Sequence, residues 1–503
     1  MEVIFNPTKK LSIDALEDLL SESSFRLAPS AAARLDRGSK MVRELSQSKQ
    51  AIYGVNTGFG RLAQVRISES ELIQLQINIL KSHACGIGEP LSSQVVRRLL
   101  LLRAFSLGKG FSGVSSEIIE RHLVYLNKNI TPMIPIQGSV GASGDLAPLA
   151  HLGITFIGFG EFIEDGKSVP AASLLKKLKI KPISIGPKEG LALVNGTQFS
   201  LALALEARAQ LQILLPWLEL SAALSLEAHR GTAAVFDSRL HSVKAHPHQK
   251  EVAERFKKIL QGSKHMNAHR DCDLVQDSYS YRCIPQVLGP VYSILQKSDE
   301  LLEDEINSVS DNPILWSSTK ELLSGGHFHA HAVSFAADLM SMALATLGNI
   351  TERRIDQLIS PLTARGNAFL ADRPGVESGF MILQTAAAAI ASENKTLAHP
   401  ASADSISTNG NQEDHVSMAP WAARKSLMMI ENLRRIVAAE IVCGVRGAVH
   451  ESTRMGLSFS PVIEKFLSTL ARKVPTLFLS GDREFGRDWK KIERLIMEPF
   501  RAG

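Results

Sequence analysis

The sequence GSVGASGDLAPLAHL occupies residues 138–152 and contains the triplet Ala142-Ser143-Gly144. Glycine has no Cβ, so the backbone at Gly144 can close into tight geometries that other residues forbid. Attack of the Gly144 amide nitrogen on the Ala142 carbonyl carbon would close a five-membered ring around Ser143. Loss of two water molecules would then leave a methylene group on the ring. The triplet can therefore yield a carbon electrophile made from the chain itself, which ordinary side chains do not supply.

Two simpler interpretations of residues 138–152 stay open when the residues are taken alone. Gly, Ser and Asp cluster in turns, so the stretch is also typical of a glycine-rich loop before a helix. A phosphate-binding loop is less well supported. No Gly-Lys-Ser/Thr ending follows, and the glycine spacing does not match the dinucleotide pattern.

The same stretch resembles the signature of the histidine/phenylalanine ammonia-lyase family, and the resemblance extends over about residues 51–417. In that family the triplet becomes 4-methylideneimidazol-5-one (MIO). The resemblance implies that Ala142, Ser143 and Gly144 form this group autocatalytically, with no external cofactor. Ser143 would become 2,3-didehydroalanine, and the ring would close between Ala142 and Gly144.

The composition bounds the class of protein. A chain of 503 residues that is 45% hydrophobic can bury a large core in two or three structural units. Its net charge of +5 is small for this length, and its Lys and Arg residues are scattered, which argues against nucleic-acid binding. The four cysteines contain no C-x-x-C pair and do not indicate a disulfide framework.

Targeting and membrane signals are weak. The N-terminal sequence MEVIFNPTKKLSID lacks the pattern of a signal peptide. The most apolar region, residues 201–226, is interrupted by Glu206, Arg208 and Glu219, whereas a membrane span needs about 20 mostly apolar residues. We predict a cytoplasmic protein without a membrane partner.

Helical periodicity dominates the rest of the chain. Apolar residues at 3-4 spacing predict a helix over residues 335–350 and another from about Pro420, where a helix start tolerates proline. Residues 378–398 and the Ala/Leu-rich segment after Gly196 also have helical patterns. Helices of this length are typical of a bundle.

Strand signals are few. Asp165-Gly166 lies between short apolar runs and predicts a hairpin over residues 160–169. Residues 179–185 are a second candidate strand. We therefore predict a mixed N-terminal domain over residues 1–200 and a helical domain over residues 201–503.

The resemblance implies a fold class consistent with these patterns. It implies a mainly α protein with a long central helical bundle, of the aspartase/fumarase-like kind, and a smaller mixed α/β N-terminal domain that carries the MIO loop. It also implies a homotetramer whose active sites are shared between subunits. Composition and periodicity by themselves indicate neither the tetramer nor the shared sites.

Removing ammonia from an α-amino acid requires a base for a weakly acidic β-proton and an electrophile that helps expel the amine. It also requires a group that holds the carboxylate. By resemblance to the family's motifs, Tyr53 in YGVNTGFG is a base or proton relay, and Glu413 in NQEDHVSM faces the substrate ring or acts as a base. Tyr279 in QDSYSYRC assists proton transfer. Taken alone, these residues are more typical of structural roles, such as a packed loop aromatic at Tyr53 or a solvated helix start at Glu413.

Further motifs provide the expected binding residues. The resemblance implies that Arg282 clamps the substrate carboxylate, for which a guanidinium offers two parallel donors. It implies that His83 in SHACGIGEP contacts an imidazole ring, and that Asn195, Gln276 and Phe328 shape the site.

The resemblance thus implies deamination of L-histidine to trans-urocanate and ammonia, the first step of histidine degradation to glutamate. His83 and Glu413 favour an imidazole over a phenyl ring, because burying an unpaired ionisable group is costly. The chain departs from the family's usual residues at four places near the expected site: His327, His331-Ala332, Tyr281 and Ile284.

Three alternatives remain at this stage. A tyrosine or phenylalanine ammonia-lyase, or an aminomutase of the same family, would use the same electrophile. A metal-dependent hydrolase would use the alternating His327, His329 and His331, with His83 and His415 as possible further ligands. A non-enzymatic helical scaffold would form no electrophile and would lose no water.

Overall fold

The computed structural model describes residues 2–22, 24–268, 275–364 and 366–499. The chain divides into two compact units. The first unit contains Met1–Glu206, Ser298–Asp338 and Pro400–Arg424, and the second contains Ala207–Lys297, Leu339–His399 and Lys425–Gly503. Each unit is thus built from three segments of the chain, and the division into domains 1–200 and 201–503 stays a prediction.

Helices account for most of the described residues, which confirms the mainly α class. In chain order they are α1 Ile13–Ser21, α2 Pro29–Ser46, α3 Leu72–His83, α4 Ser93–Gly108, α5 Ser116–Asn127, α6 Leu146–Phe156, α7 Ala171–Lys177, α8 Glu189–Val194, α9 Gln198–Ala228, α10 Ser238–Ser242, α11 Pro247–Ile259, α12 Lys264–Asn267, α13 Tyr279–Arg282, α14 Ile284–Ile306, α15 His331–Ile359, α16 Met381–Leu397, α17 Ala419–Met455, α18 Pro461–Lys473 and α19 Phe485–Leu495.

The strands are short, and all of those described belong to the first unit. They are β1 Val3–Phe5, β2 Phe25–Leu27, β3 Ile87–Pro90, β4 Thr131–Pro132, β5 Pro135–Gln137, β6 Glu161–Glu164, β7 Lys167–Pro170, β8 Ile314–Trp316 and β9 Glu321–Leu323. β1 pairs with β2 in parallel, while β3 with β5, β4 with β6, β6 with β7 and β8 with β9 are antiparallel. The first unit is therefore mixed, as the class prediction required.

The predicted hairpin is confirmed, and the second predicted strand is wrong. β6 and β7 are joined by Asp165 and Gly166, both with positive φ, as a two-residue hairpin turn requires. Residues 179–185 form no strand. Pro182 lies in the middle of this segment and has no N–H to donate to a neighbouring strand. The Ile183 N–H donates to the backbone carbonyl of Phe156 at 2.9 Å.

The predicted long helices are also confirmed, as α9, α15, α16 and α17. α17 begins one residue before Pro420. The first N–H groups of a helix have no intrahelical acceptor, so a proline at this position costs no hydrogen bond. α9 continues through Pro216, a continuation that is compatible with the apolar pattern of this segment.

The second unit has a continuous apolar core contributed by its parts of α9, α14, α15, α16 and α17, with α11, α18 and α19. One fully buried ion pair lies within it. The Arg354 guanidinium donates to both carboxylate oxygens of Glu440 at 2.5 and 3.0 Å, and the Ser221 hydroxyl donates to Glu440 at 2.6 Å. These bonds pair two charges whose side chains are inaccessible to solvent, while Arg354 Nη1 has no hydrogen-bond partner among the described residues.

Two helices, α9 and α15, are long and apolar enough to cross a membrane by length and composition. In each, 72% of the apolar window is buried inside the protein, as in the core helices of a globular fold. Cys85, Cys283 and Cys443 are free thiols, and Cys272 lies outside the described residues.

Candidate active site

The loop between β5 and α6 carries the Ala-Ser-Gly triplet in the first unit. Gly144 has φ +76°, and a Cβ there would lie 2.3 Å from the carbonyl oxygen of Gly196. Gly141 has φ +69°, and a Cβ there would lie 2.2 Å from the Ser417 hydroxyl oxygen. Both backbone conformation and close packing therefore require glycine on each side of the Ala142-Ser143 pair.

Asp145 anchors the C-terminal end of this loop. Its buried carboxylate accepts hydrogen bonds from the backbone N–H and the hydroxyl of Ser200, each at 2.8 Å. Its backbone N–H donates to the Gly196 carbonyl at 2.8 Å. Burial raises the pKa of Asp145 to about 6, and the bonds from Ser200 oppose that rise.

The segment before α17 holds the other end of the loop. The Ser417 hydroxyl donates to the Gly141 carbonyl at 3.1 Å, and the Met418 N–H donates to the Val140 carbonyl at 3.0 Å. The loop is thus attached to α9 on one side and to the start of α17 on the other.

The Ser143 hydroxyl donates a hydrogen bond of 2.6 Å to Oε1 of Glu413. The other carboxylate oxygen of Glu413 accepts from the Thr408 hydroxyl at 2.8 Å, and the backbone of the two residues pairs as an antiparallel bridge. Asn409 Nδ2 lies 3.4 Å from Oε1. The carboxylate is therefore held against the triplet by its own loop.

Two cavities open at this point, with volumes of about 630 and 530 Å³. Tyr53, Ser143, Asn195 and Glu413 line both of them. The larger cavity is also lined by Ala142, Phe328, His329 and His415. The smaller cavity is also lined by His83. The residues that the sequence singled out in the first unit are thus brought to one place.

Burial sets the protonation of two of these groups. The Tyr53 hydroxyl accepts the Gly60 N–H at 3.1 Å, but burial, reinforced by Glu413, raises the pKa of Tyr53 above its ordinary value. Burial lowers the pKa of His83, whose Nδ1 lies 2.9 Å from the Ser82 hydroxyl. At neutral pH the site therefore presents a protonated phenol and a neutral imidazole.

Asn195 lies on the cavity wall behind the triplet. It is buried, and its Oδ1 has no hydrogen-bond partner among the described residues. Its backbone carbonyl accepts from Arg103 Nη1 at 2.9 Å, and Arg103 also donates to Gln198 Oε1 at 2.6 Å. Burial lowers the pKa of Arg103 to about 10, which leaves it charged at neutral pH.

Sequence reasoning missed several of these supporting residues. Arg103 is a charged residue inside the apolar run LLLLRAF of α4, and that contrast was the available signal. Thr408 precedes Glu413 by five residues, but only the turn of the chain at Asn409 brings it to the carboxylate. Ser200 had no local signal, because its partner Asp145 is distant in sequence.

Gln276, Tyr279 and Arg282 belong to the second unit and are not among the residues that line the two cavities. The structure brings these three together: Arg282 donates to Gln276 Oε1, and its guanidinium carbon lies 4.7 Å from the centroid of the Tyr279 ring. The Tyr279 side chain is 70% exposed. Together they form a polar surface at the start of α13.

The residues at which the chain departs from the family pattern fall in different environments. Tyr281 and Ile284 are fully buried in the second unit, and the Tyr281 ring stacks on His229 with centroids 4.6 Å apart. His327 is exposed, while His331 is half-buried. Tyr281 and Ile284 are therefore core residues, which sequence proximity to Arg282 did not indicate.

The predicted metal ligands are only partly brought together. His329 and His331 cluster with His415, whereas His327 is not part of the cluster. The alternation of histidines on one segment predicted His327 as a ligand, but the third member is His415, which was predicted as a possible further ligand. His83, the other possible ligand, is not part of the cluster.

The structure thus combines long helices with a glycine-bounded Ala-Ser-Gly loop and a carboxylate against the serine. The sequence profile of the aromatic amino acid lyase family matches residues 11–472, so the chain belongs to this family and is a carbon–nitrogen lyase. The expected family membership is confirmed.

Individual relatives are similar over nearly their whole length. The histidine ammonia-lyase of Geobacillus thermodenitrificans is 46% identical, over 91% of this chain and 90% of the relative. The crystal structure of histidine ammonia-lyase from Trypanosoma cruzi has a TM-score of 0.88 at 36% identity, covering 99% of this chain and 93% of the other. Tyrosine aminomutase from Streptomyces globisporus has a TM-score of 0.90 at 31% identity, covering 98% and 97%.

Proposed function

We propose that this chain converts L-histidine to trans-urocanate and ammonia, the first step of histidine degradation to glutamate. The observation that carries the proposal is that Glu413 and His83 line the same cavity as Ser143. An imidazole has two nitrogen atoms that hydrogen-bond to a carboxylate and to a second imidazole, whereas a phenyl ring has none. The relatives named histidine ammonia-lyase support the same substrate.

The residues of the triplet fit an MIO prosthetic group. Gly144 adopts a left-handed conformation against Gly196, where only glycine has room. Asn195 lines the cavity with an unpartnered buried Oδ1 and would hydrogen-bond the group or the substrate. When formed from Ala142, Ser143 and Gly144, the group supplies an electrophilic carbon that draws electron density from the bound amino acid.

Proton transfer is assigned to Glu413, Tyr53 and Tyr279. The Glu413 carboxylate is oriented by the Thr408 hydroxyl and is the acceptor nearest to Ser143. Tyr53 stays protonated at neutral pH because burial raises its pKa, so it donates or relays a proton and does not begin as a phenolate. Neutral His83 can both donate and accept a hydrogen bond and would position the substrate ring, which Phe328 would pack beside.

Arg282 is assigned to the substrate carboxylate, with Gln276 and Tyr279 beside it. These residues lie in the second unit, and the half-buried Arg282 and the exposed Tyr279 phenol are available to another copy of the chain. We infer a homotetramer in which one subunit contributes Ser143 and Glu413 and another contributes Arg282. In this assembly the electrophile and the carboxylate clamp come from different chains.

We also infer a cytoplasmic location without nucleic-acid or membrane partners. The small net charge and the burial of the two most apolar helices support this inference.

A substrate comparison tests the proposed reaction. The purified protein is supplied separately with L-histidine, L-tyrosine and L-phenylalanine, and ammonia release and ultraviolet absorbance are followed. We expect ammonia and urocanate from histidine, with at least about a hundredfold lower kcat/KM for the other two, because a site built for hydrogen bonds loses them with an apolar ring.

The same measurement separates the alternatives within the family. Ammonia release from tyrosine or phenylalanine but not histidine would contradict the substrate assignment. Formation of a β-amino acid without net ammonia would identify an aminomutase, the activity named for one structural relative.

A further inference from the structure

Three histidines form a cluster in the first unit, at the wall of the larger cavity. His331 begins α15, His329 lies two residues before this helix, and His415 comes from the loop before α17. Their candidate ligand nitrogen atoms all lie within 4.8 Å of one another. The ring centroids form a nearly equilateral triangle with sides of 5.6, 5.8 and 5.9 Å.

The internal hydrogen bonds of this cluster are few. His329 Nε2 lies 3.3 Å from the backbone carbonyl of His415, a long contact. His331 Nδ1 is buried and has no hydrogen-bond partner among the described residues. A buried polar atom without a partner is unfavourable, and it is uncommon in native structures unless a ligand or water completes it.

We propose that His329, His331 and His415 bind one divalent transition-metal ion of the Zn²⁺ class. Imidazole nitrogen atoms bind zinc at about 2.0–2.1 Å in a tetrahedral arrangement, which separates ligand atoms by roughly 3.4 Å. The ligand atoms therefore need to approach one another by up to about 1.4 Å through side-chain rotation. Three protein ligands also leave a fourth position for water or a small molecule, as in open zinc sites.

The position of the cluster indicates what such an ion does. His329 and His415 line the same cavity as Ser143 and Glu413. An ion bound to these histidines would therefore lie at the wall of the cavity proposed to hold the substrate. We expect metal occupancy to lower turnover. This second expectation rests on the proposed lyase function, whereas metal binding itself does not.

His327 provides a matched control. It lies on the same turn as His329, is exposed, and is outside the cluster. Removing its imidazole changes the histidine content of the segment by the same amount as removing His331, and leaves the three proposed ligands intact.

Metal binding is tested with untagged protein in the absence of amino acids, because free histidine chelates metals. Co²⁺ is titrated into the wild type and into H331Q, H415Q and H327Q. The readouts are bound metal per chain after dialysis and visible absorbance, which reports tetrahedral nitrogen ligation. We expect one ion per chain in the wild type and H327Q, and affinity weakened by about tenfold or more in H331Q and H415Q.

Equal affinity in the wild type, H331Q and H415Q would overturn the proposed site, as would the absence of saturable binding in the wild type. Circular dichroism establishes that each variant is folded. If H331Q does not fold, H415Q decides, since its side chain is exposed and outside any helix.

Inhibition is measured over the first turnovers of protein loaded with Co²⁺ and freed of excess metal, with each variant normalised to its own metal-free rate. Bound metal is measured again at the end, because the substrate histidine also chelates Co²⁺. We expect a several-fold loss in the wild type and H327Q and a smaller loss in H331Q. Full activity of the loaded wild type, whether the metal stays bound or is released to the substrate, would overturn the inhibitory role. A failure of the lyase assignment appears separately, as absent turnover in every metal-free sample.

Discussion

At the scale of single residues, a hydrogen bond from the unprocessed Ser143 hydroxyl shows that the triplet lies against Glu413, although the two residues are 270 positions apart in the sequence. Each is unremarkable in its local segment, one in a glycine-rich loop and the other in a polar turn. The contact forms because Gly141 and Gly144 let the loop approach its neighbours at distances that a Cβ would prevent. The reactivity of the triplet is therefore a property of close packing as well as of residue identity.

Replacing Ser143 with alanine tests the electrophile directly. The mature wild type should weigh about 36 Da less than its sequence predicts, because ring formation removes two waters. S143A should show its full mass and lose turnover by at least about a thousandfold, since the reacting carbon is gone. Intact-mass spectrometry and an ammonia assay measure the two effects.

The control for this variant is S458A, whose exposed side chain lies outside the active-site loop. It should keep the mass deficit. Substantial activity in S143A, or a wild type of unaltered mass that still deaminates its substrate, would contradict the mechanism.

At the scale of elements, the long helices combine apolar faces with a few buried charges that are paired with each other. Arg354 on α15 and Glu440 on α17 are both inaccessible, and their bonds join two helices of the second unit. Replacing both charges of such a pair changes the free energy of unfolding little. Removing only one charge is strongly destabilising, because the other stays buried without a counterion.

The variant E440Q should therefore destabilise the protein by about 3–5 kcal/mol, because the Arg354 charge stays buried without its counterion. Denaturant unfolding followed by circular dichroism gives the free energy. The matched double variant R354M/E440L should be within about 2 kcal/mol of the wild type, since both charges are removed. A small loss in E440Q would show that water reaches Arg354.

The buried His122 on α5 leads us to predict that the stability of the first unit depends on pH. Burial lowers the pKa of its imidazole to about 3, while the unfolded value is 6.5. Below pH 6.5 the unfolded chain binds a proton that the folded chain does not, so stability is present above this pH and is lost as pH falls towards 3. The loss from this residue between about pH 7.5 and 5 is roughly 2 kcal/mol.

In H122Q this part of the acid sensitivity should disappear, because an amide does not titrate and can still donate to the Ile118 carbonyl that His122 contacts at 2.8 Å. The measurement is the free energy of unfolding of both proteins at the two pH values. Identical pH dependence of the wild type and H122Q would mean that the folded imidazole takes up a proton.

At the scale of the whole molecule, the question is which chains build one site. The cavity residues and the group formed by Gln276, Tyr279 and Arg282 lie in different units of the chain. The proposed tetramer predicts that inactive variants complement each other. Co-expression of S143A with R282A should restore about a quarter of wild-type activity, the fraction of sites that receive both intact residues by random mixing.

The control pair is S143A with E413Q, whose altered residues contact each other within one chain. No mixed assembly contains a site with both residues intact, so activity should stay absent. Equal recovery in the two mixtures, or no recovery in either, would contradict sites shared in this way. Size-exclusion chromatography with light scattering reports the assembly.

The helices and the hairpin were predictable from the sequence because they depend on local spacing. The apolar periodicity identified α15 and α17, and Asp165-Gly166 identified the turn between β6 and β7. The candidate strand at residues 179–185 failed because strand formation needs a partner, and its backbone donors are used elsewhere.

The sequence by itself determined the reactive triplet, the helical class and the family, since these rest on residue identity and short-range pattern. Only the tertiary structure decided that Glu413 meets Ser143, that Ser200 and Arg103 support the loop, and that His415 joins His329 and His331. It also decided that Tyr281 is a core residue. The physical reason is that such contacts join segments far apart in the chain, and their geometry follows from how helices and loops pack, which no local pattern encodes.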